Sequence, residues 1–275
     1  MSGLELRTES GLVSGILVGG DDARPDLPLL ACIHGGGCNG RYFDVEGHST
    51  LSAARSRGFP VFLVNRPGYG GNRCIEGPSP ISAGVPHIRG LIERARACVG
   101  AAGVFALGHS IGGAVALMLA TTDREGSILG VAVSGLGDEP PPGAWDGLGE
   151  HAPASLAAAD FLGREGSWDW RTLTRLRQVS EPWDVREISE IRREWPCRWP
   201  EVARAVAPPV HLRLADHEAI WVTGQAVVDR MAAALTRSAR VDAALLPDGG
   251  HLYELHRRGP ELLAAQLDFA ESCAT

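Results

Sequence analysis

An α/β architecture, a mostly parallel central sheet with helices on both faces plus a helical insertion, is predicted by three features of the 275-residue sequence. Apolar runs of strand length alternate with stretches of helical periodicity across short connections, the pattern of parallel strands joined by covering helices. Several of those runs stop at glycine, histidine or acidic residues, so polar side chains collect at one edge of the sheet. From residue 138 the alternation breaks for about 70 residues before strands resume.

Taken in order, residues 4–8 and 12–18, separated by Glu9-Ser10-Gly11, read as a short antiparallel pair. The buried strand 29–33 runs directly into His34-Gly35-Gly36-Gly37. A helix over 49–57 ends at Gly58, and strand 60–64 leads into Asn65-Arg66-Pro67-Gly68-Tyr69-Gly70-Gly71, a loop dense in turn residues. Residues 84–99 form an amphipathic helix with Ile88, Leu91, Ile92, Ala95 and Val99 near one face. Val104-Phe105-Ala106-Leu107 is a strand, 114–120 a helix, and 127–134 another buried strand.

Residues 138–208 carry Pro140-Pro141-Pro142 and six of the seven tryptophans: Trp145, Trp168, Trp170, Trp183, Trp195 and Trp199. Short helices are expected around 154–162, 170–178 and 185–193. The segment reads as a helical cap insertion, 138–208, in a core made of 1–137 and 209–275. Two or three of its tryptophans are expected to face a ligand, the rest to dock the insertion. Strand 209–214, helix 223–235, strand 241–246 and helix 260–273, with Pro260 in its first turn, complete the core.

Composition narrows the function classes. Hydrophobic content of 44% and charged content of 21% suit an ordinary globular chain. The net charge is −7, all 26 basic side chains are arginine, and no basic run or basic-aromatic block occurs, so no nucleic-acid partner is expected. Residues 1–20 lack a charged n-region followed by an unbroken apolar stretch, and no apolar run is long enough to span a bilayer. A cytoplasmic protein without a membrane partner is expected, and no feature specifies an oligomeric state. Cys32, Cys38, Cys74, Cys98, Cys197 and Cys273 have neither C-x-x-C nor Cys/His ligand spacing. Free thiols are expected, with no metal and no organic cofactor.

The chemistry centres on Gly108-His109-Ser110-Ile111-Gly112, a G-x-S-x-G pentapeptide between a strand and a helix. A serine hydroxyl is a poor nucleophile unless held at an exposed apex beside a base and near oxyanion donors. Two glycines let strand and helix approach around such a turn, and the free N–H groups at the helix start favour negative charge. Three further features follow strands: the His34 glycine run, whose bare N–H groups suit an oxyanion hole, the acids Asp216 and Glu218, and His251 after a glycine pair. In a parallel sheet all four lie at the carboxyl edge.

In this order, nucleophile, acid, histidine, the chain resembles the α/β-hydrolase fold superfamily over nearly its whole length. Gly-His-Ser-Ile-Gly-Gly is close to the elbow of small hydrolases with a helical cap. Asn65-Arg66-Pro67-Gly68-Tyr69-Gly70 is similar to the superfamily's D-x-x-G-x-G loop, with Asn65 in place of the acid. The resemblance implies Ser110 as nucleophile and His251 as the base that takes its proton and returns it to the leaving group. Glu218 falls where related chains have the acid of G-x-x-D, so its loop must sit back by about one methylene. Asp216 or Asp138 are the alternatives. The N–H groups of Ile111 and Gly36, or Gly37 instead, become the oxyanion donors. His34 is read as a brace for that loop, and His109 as packing or lining the pocket. His48, His87, His151, His211 and His256 are read as solvated or core histidines.

The implied activity is serine hydrolysis of an ester, thioester or lactone with an apolar or aromatic acyl part, on a small-molecule substrate. Two alternatives stay open: a non-hydrolytic, C–C cleaving or cyclising enzyme of natural-product metabolism, and a binding protein that retains the fold. The absence of G-x-G-x-x-G opening a helix after the first strand excludes a dinucleotide-binding site.

Overall fold

The computed structural model describes residues 3–19, 23–143 and 161–274. Eight strands form one sheet: β1 (Leu4–Arg7), β2 (Ser14–Val18), β3 (Leu29–Ile33), β4 (Val61–Asn65), β5 (Val104–His109), β6 (Ile128–Ser134), β7 (Val210–Ala215) and β8 (Val241–Leu246). Their spatial order is β1-β2-β4-β3-β5-β6-β7-β8. β1 and β2 pair antiparallel with each other, and β2 antiparallel with β4; every other pairing is parallel.

Among the described residues the α-helices are α1 (Thr50–Ser56), α2 (Pro80–Val99), α3 (Ile111–Thr121), α4 (Trp170–Val179), α5 (Val185–Ser189), α6 (Trp195–Ala205), α7 (Gln225–Ala234) and α8 (Gly259–Ser272). The period-2 alternation of each strand sorts its side chains into two cores. Leu29, Ala31 and Ile33 of β3 face the side covered by α2, α3 and α7, where they meet Leu91, Val115 and Met231. Leu30 and Cys32 face the other side, with Ala54 of α1 and Leu267 and Phe269 of α8. Because both faces are covered, β3 and β5 are buried at every residue. All six cysteines are free, and among the described residues no helix is long and apolar enough to cross a membrane.

Helix ends follow local chemistry where the caps are local. The Ser49 side chain accepts from the Ser52 N–H to start α1, and α2 stops at Gly100 with φ 66°. α2 begins at Pro80, four residues before the expected start at 84. Its first turn is capped from far away in the chain: the Glu190 carboxylate accepts from the N–H groups of Ile81 at 2.7 Å and Ser82 at 3.0 Å.

Between β6 and β7 the described residues form the helices α4, α5 and α6, and one expectation is corrected. The helix expected to end near 193 continues as α5, one π-helical turn over Glu190–Glu194, and α6 to Ala205. Pro196 does not end it, because it falls in the first turn of α6, after the Trp195 N–H has bonded to the Glu190 carbonyl five residues back. Most of the helix expected at 154–162, and Trp145, lie outside the described residues. Acidic side chains of the insertion reach into the core. Beside Glu190 at α2, Glu181 accepts from the Gly70 N–H at 3.0 Å and from Asn39 Nδ2 at 2.7 Å.

Candidate active site

The strand-to-helix turn at Ser110 holds a conformation that side chains rarely adopt, φ 53° and ψ −123°, at a cost of about 1–3 kcal/mol. Its surroundings leave no alternative. The Ser110 N–H is bonded to the Ser134 carbonyl on the adjacent strand at 2.8 Å. A Cβ on Gly112 would sit 1.9 Å from the Ile33 carbonyl oxygen, and one on Gly108 would sit 2.3 Å from the Gly112 oxygen. Only bare backbone fits, and the turn projects the Ser110 hydroxyl past the end of β5.

There Ser110 Oγ lies 2.9 Å from His251 Nε2, and His251 Nδ1 lies 3.0 Å from both carboxylate oxygens of Glu218. The Glu218 side chain has no exposed surface and His251 is 5% exposed, so water does not screen this pair. Of the three candidate acids, Glu218 is the one that faces His251 Nδ1. Asp216 serves another purpose: its carboxylate accepts from the N–H groups of Asp248 at 2.9 Å and Gly249 at 3.1 Å. It thereby holds the loop that carries His251, which includes Asp248 at φ 59°. Asp138 is engaged by Arg230 at 2.8 and 2.9 Å.

The glycine run after β3 packs against the elbow, where a Cβ on Gly35 would come within 3.1 Å of Ser110 Cβ. The Gly37 N–H is directed at the Tyr69 hydroxyl, 3.4 Å away. Among the described residues the N–H groups of Gly36 and Ile111 have no protein acceptor, and both residues line the cavity at Ser110. Two bare donors therefore border the space beside the hydroxyl.

Behind His251 lies a buried cluster that sequence reasoning missed. The His109 ring packs 4.9 Å from the His251 ring and stacks on Tyr42 at 5.0 Å. Its Nδ1 is 3.3 Å from Glu254 Oε1. Glu254 also accepts from the Tyr42 hydroxyl at 3.0 Å and from the Ser134 hydroxyl. Burial opposes ionisation of Glu254, but His109 and the Ser134 hydroxyl outweigh it and hold the carboxyl down at about 2. No local pattern marks Tyr42 or Glu254 in the sequence. The elbow position of His109 was the one available signal.

A cavity of about 190 Å³ opens over Ser110, walled by Trp183, Phe161, Ile188, Ile191, Ile220 and Trp221 among others. Of the insertion's described tryptophans Trp183 faces it; Trp145, the sixth of the set, lies outside the described residues. Trp195 and Trp199 are buried and pack on each other at 5.9 Å. Trp168 packs in the second core, and Trp170 is exposed beside Arg171. The reason is docking: Trp195 Nε1 donates to the Gly137 carbonyl at 3.0 Å, fastening α6 to the end of β6.

A family model described as "Alpha/beta hydrolase family" matches residues 30–266, from the start of β3 into α8. The chain belongs to that family. Solved structures similar to this alpha/beta hydrolase include a thermostable carboxyl esterase from Bacillus coagulans, with TM-score 0.75, 16% identity and full coverage of both chains. An enol-lactonase from Burkholderia xenovorans LB400 matches with TM-score 0.67 and 18% identity over 94% of this chain and 95% of its own. A thioesterase domain from the curacin biosynthetic pathway matches with TM-score 0.64 and 18% identity over 98% and 99%. At these identities the likeness is one of fold. No curated protein sequence matches significantly.

Proposed function

We propose that this alpha/beta hydrolase cleaves a small carboxylic ester, thioester or lactone through an acyl-enzyme on Ser110. The observation that carries the reading is the unbroken line from Ser110 Oγ to His251 Nε2 at 2.9 Å and from His251 Nδ1 to Glu218 at 3.0 Å. In this reading Nδ1 carries a proton donated to Glu218, so Nε2 is free to accept. Ser110 Oγ bonds to the substrate carbonyl carbon while its proton passes to Nε2. The carbonyl oxygen, now negative, sits between the N–H groups of Ile111 and Gly36. Collapse breaks the bond to the leaving group, which takes the proton from Nε2. A water then adds to the acyl carbon, giving its proton to His251, and the bond to Oγ breaks as that proton returns to Ser110. Glu218 stays ionised throughout and stabilises the imidazolium formed in each half.

The walls favour a short aliphatic or aromatic acyl group. Apolar side chains dominate the lining, and an apolar cavity of about 150 Å³ is known to hold one benzene ring, close to the space above Ser110. Residues 138–208 act in this reading as a cap that excludes water from the acyl group, with Trp183 and Ile188 as its contact surface.

The test is turnover of p-nitrophenyl esters and acyl thioesters of two to eight acyl carbons, beside the Ser110→Ala variant. A burst of p-nitrophenol equal to the enzyme concentration, absent in Ser110→Ala, is the expected result. Failure of the folded protein to turn over any of them would contradict the proposal.

A further inference from the structure

We propose that Arg66 is a positioning residue that presets and polarises the Gly36 N–H toward the oxyanion, an inference that rests on the hydrolase reading above. Arg66 is 1% exposed. Its Nε donates to the His34 carbonyl at 3.0 Å, and its Nη2 donates to the Gly35 carbonyl at 2.9 Å. The Gly35 oxygen belongs to the same peptide group as the Gly36 nitrogen. In a planar trans peptide the C=O and N–H point in opposite directions. Fixing the oxygen toward Arg66, behind the loop, turns the N–H outward to the cavity that Gly36 lines.

A second grip on that oxygen comes from His34, whose Nδ1 lies 2.7 Å from it. His34 Nε2 accepts the Arg66 N–H at 3.2 Å, which leaves Nδ1 as the protonated, donating nitrogen. Burial, and then the Arg66 charge, push His34 well below the usual imidazole range, so this tautomer stays neutral and intact. His34 and Arg66 together clamp one peptide oxygen. A cation bonded to a peptide oxygen strengthens the N–H of the same group as a donor.

The clamp is tied to the insertion. Glu187 on α5 pairs with Arg66 through Nη1, and its Oε2 lies 3.3 Å from Nη2 and accepts from the Tyr69 hydroxyl at 2.7 Å. Glu187 is 3% exposed. A buried ion pair is weak evidence for stability, because apolar replacements often serve as well. Its location, with one end on the peptide beside Ser110 and the other on the helix over the pocket, is accounted for by a demand for donor geometry. The same network occupies the Gly37 N–H through Tyr69, leaving Gly36 as the donor of the pair.

The test uses Arg66→Lys, which keeps a cation but, with its donors on one nitrogen, lacks the planar fork that reaches the His34 and Gly35 oxygens and Glu187 together, and Glu187→Gln. Rates are measured on a p-nitrophenyl ester and normalised to active sites titrated with a fluorophosphonate. Inhibition is measured with an alkyl trifluoromethyl ketone, which adds to an activated serine as a hemiketal oxyanion. In Arg66→Lys the expected result is a kcat about 10- to 100-fold lower, with KM within about twofold and the ketone Ki weakened by the same factor as kcat. A merely structural Arg66 would lower the melting temperature and the titratable fraction but leave the Ki of the remaining sites unchanged. That result would overturn the inference. If Arg66→Lys does not fold, Glu187→Gln decides: a loss of about 3- to 10-fold in kcat and in Ki together supports the clamp, and an unchanged Ki refutes it. Wild-type protein that neither turns over ester nor binds the ketone would instead defeat the hydrolase reading, and this inference with it.

Discussion

Replacing Glu218 with glutamine preserves shape and removes the charge that faces His251 Nδ1 at 3.0 Å. With charge centres about 4 Å apart and an effective dielectric of about 20, the lost attraction for the imidazolium is about 4 kcal/mol. That converts to about a thousandfold in rate. No allowance for solvent screening is needed, since the Glu218 side chain has no exposed surface. A second effect adds to the first. The glutamine NH2 can turn toward Nδ1 and favour the tautomer protonated at Nε2, which cannot accept the Ser110 proton. The expected fall in kcat/KM is therefore about 10³- to 10⁴-fold, with KM nearly unchanged. Glu218→Asp draws the carboxylate back by about 1.5 Å and should lose less, because the charge remains. The assay is ester turnover per titrated active site, with thermal unfolding run in parallel. A Glu218→Gln enzyme within tenfold of wild type would refute the assignment, as would an equal loss in Asp216→Asn.

Four other outcomes follow from the geometry. Asp216→Asn loosens the loop held through Asp248 and Gly249; it should lower unfolding free energy by about 1–2 kcal/mol in urea titration while kcat falls less than tenfold. Gly112→Ala drives a Cβ to 1.9 Å from the Ile33 oxygen, so it should destabilise by more than about 4 kcal/mol, read as lost soluble yield or melting temperature. Trp183→Ala widens the pocket and should shift the preferred p-nitrophenyl ester to a longer acyl chain, read as the ratio of kcat/KM for eight and four carbons. Buried histidines should make the fold acid-labile. Burial lowers His211 and His256 to about 4, whereas an unfolded imidazole titrates near 6.5. The unfolded chain therefore binds more protons in this window, so stability is full above about pH 6.5 and falls as pH drops toward 4. His211, whose ring nitrogens have no hydrogen-bond partner among the described residues, contributes on the order of 3 kcal/mol of that loss, and His211→Leu should flatten the slope of urea midpoint against pH.

Much of this site was legible because its signals are either local or imposed by the sheet. Ser110 announces itself through the glycines that its turn requires within two residues on each side. Glu218 and His251 are far from it in sequence, but parallel strands deliver their ends to one edge, so reading strand ends was enough to bring them together. The bracing layer was not legible. Arg66 meets Glu187 across 121 positions and Tyr42 meets Glu254 across 212, with no periodicity that connects either pair. The early start of α2 depends on a carboxylate 109 residues away. Helix α6 escaped because Pro196 and Pro200 carry a breaker signal; Pro196 falls in the first turn, where its missing N–H costs nothing, while Pro200 sits inside the helix. Tertiary partners, rather than local propensity, decided the bracing layer and the start of α2.

The most direct test of the central claim is the intact mass of the protein after incubation with a fluorophosphonate, beside Ser110→Ala and Glu218→Gln. Activation of the serine can be read this way without knowledge of the substrate. The account predicts one adduct per chain, mapped to Ser110, absent from Ser110→Ala and formed far more slowly in Glu218→Gln. No adduct on the folded wild-type protein, or an adduct that persists in Ser110→Ala, would contradict it.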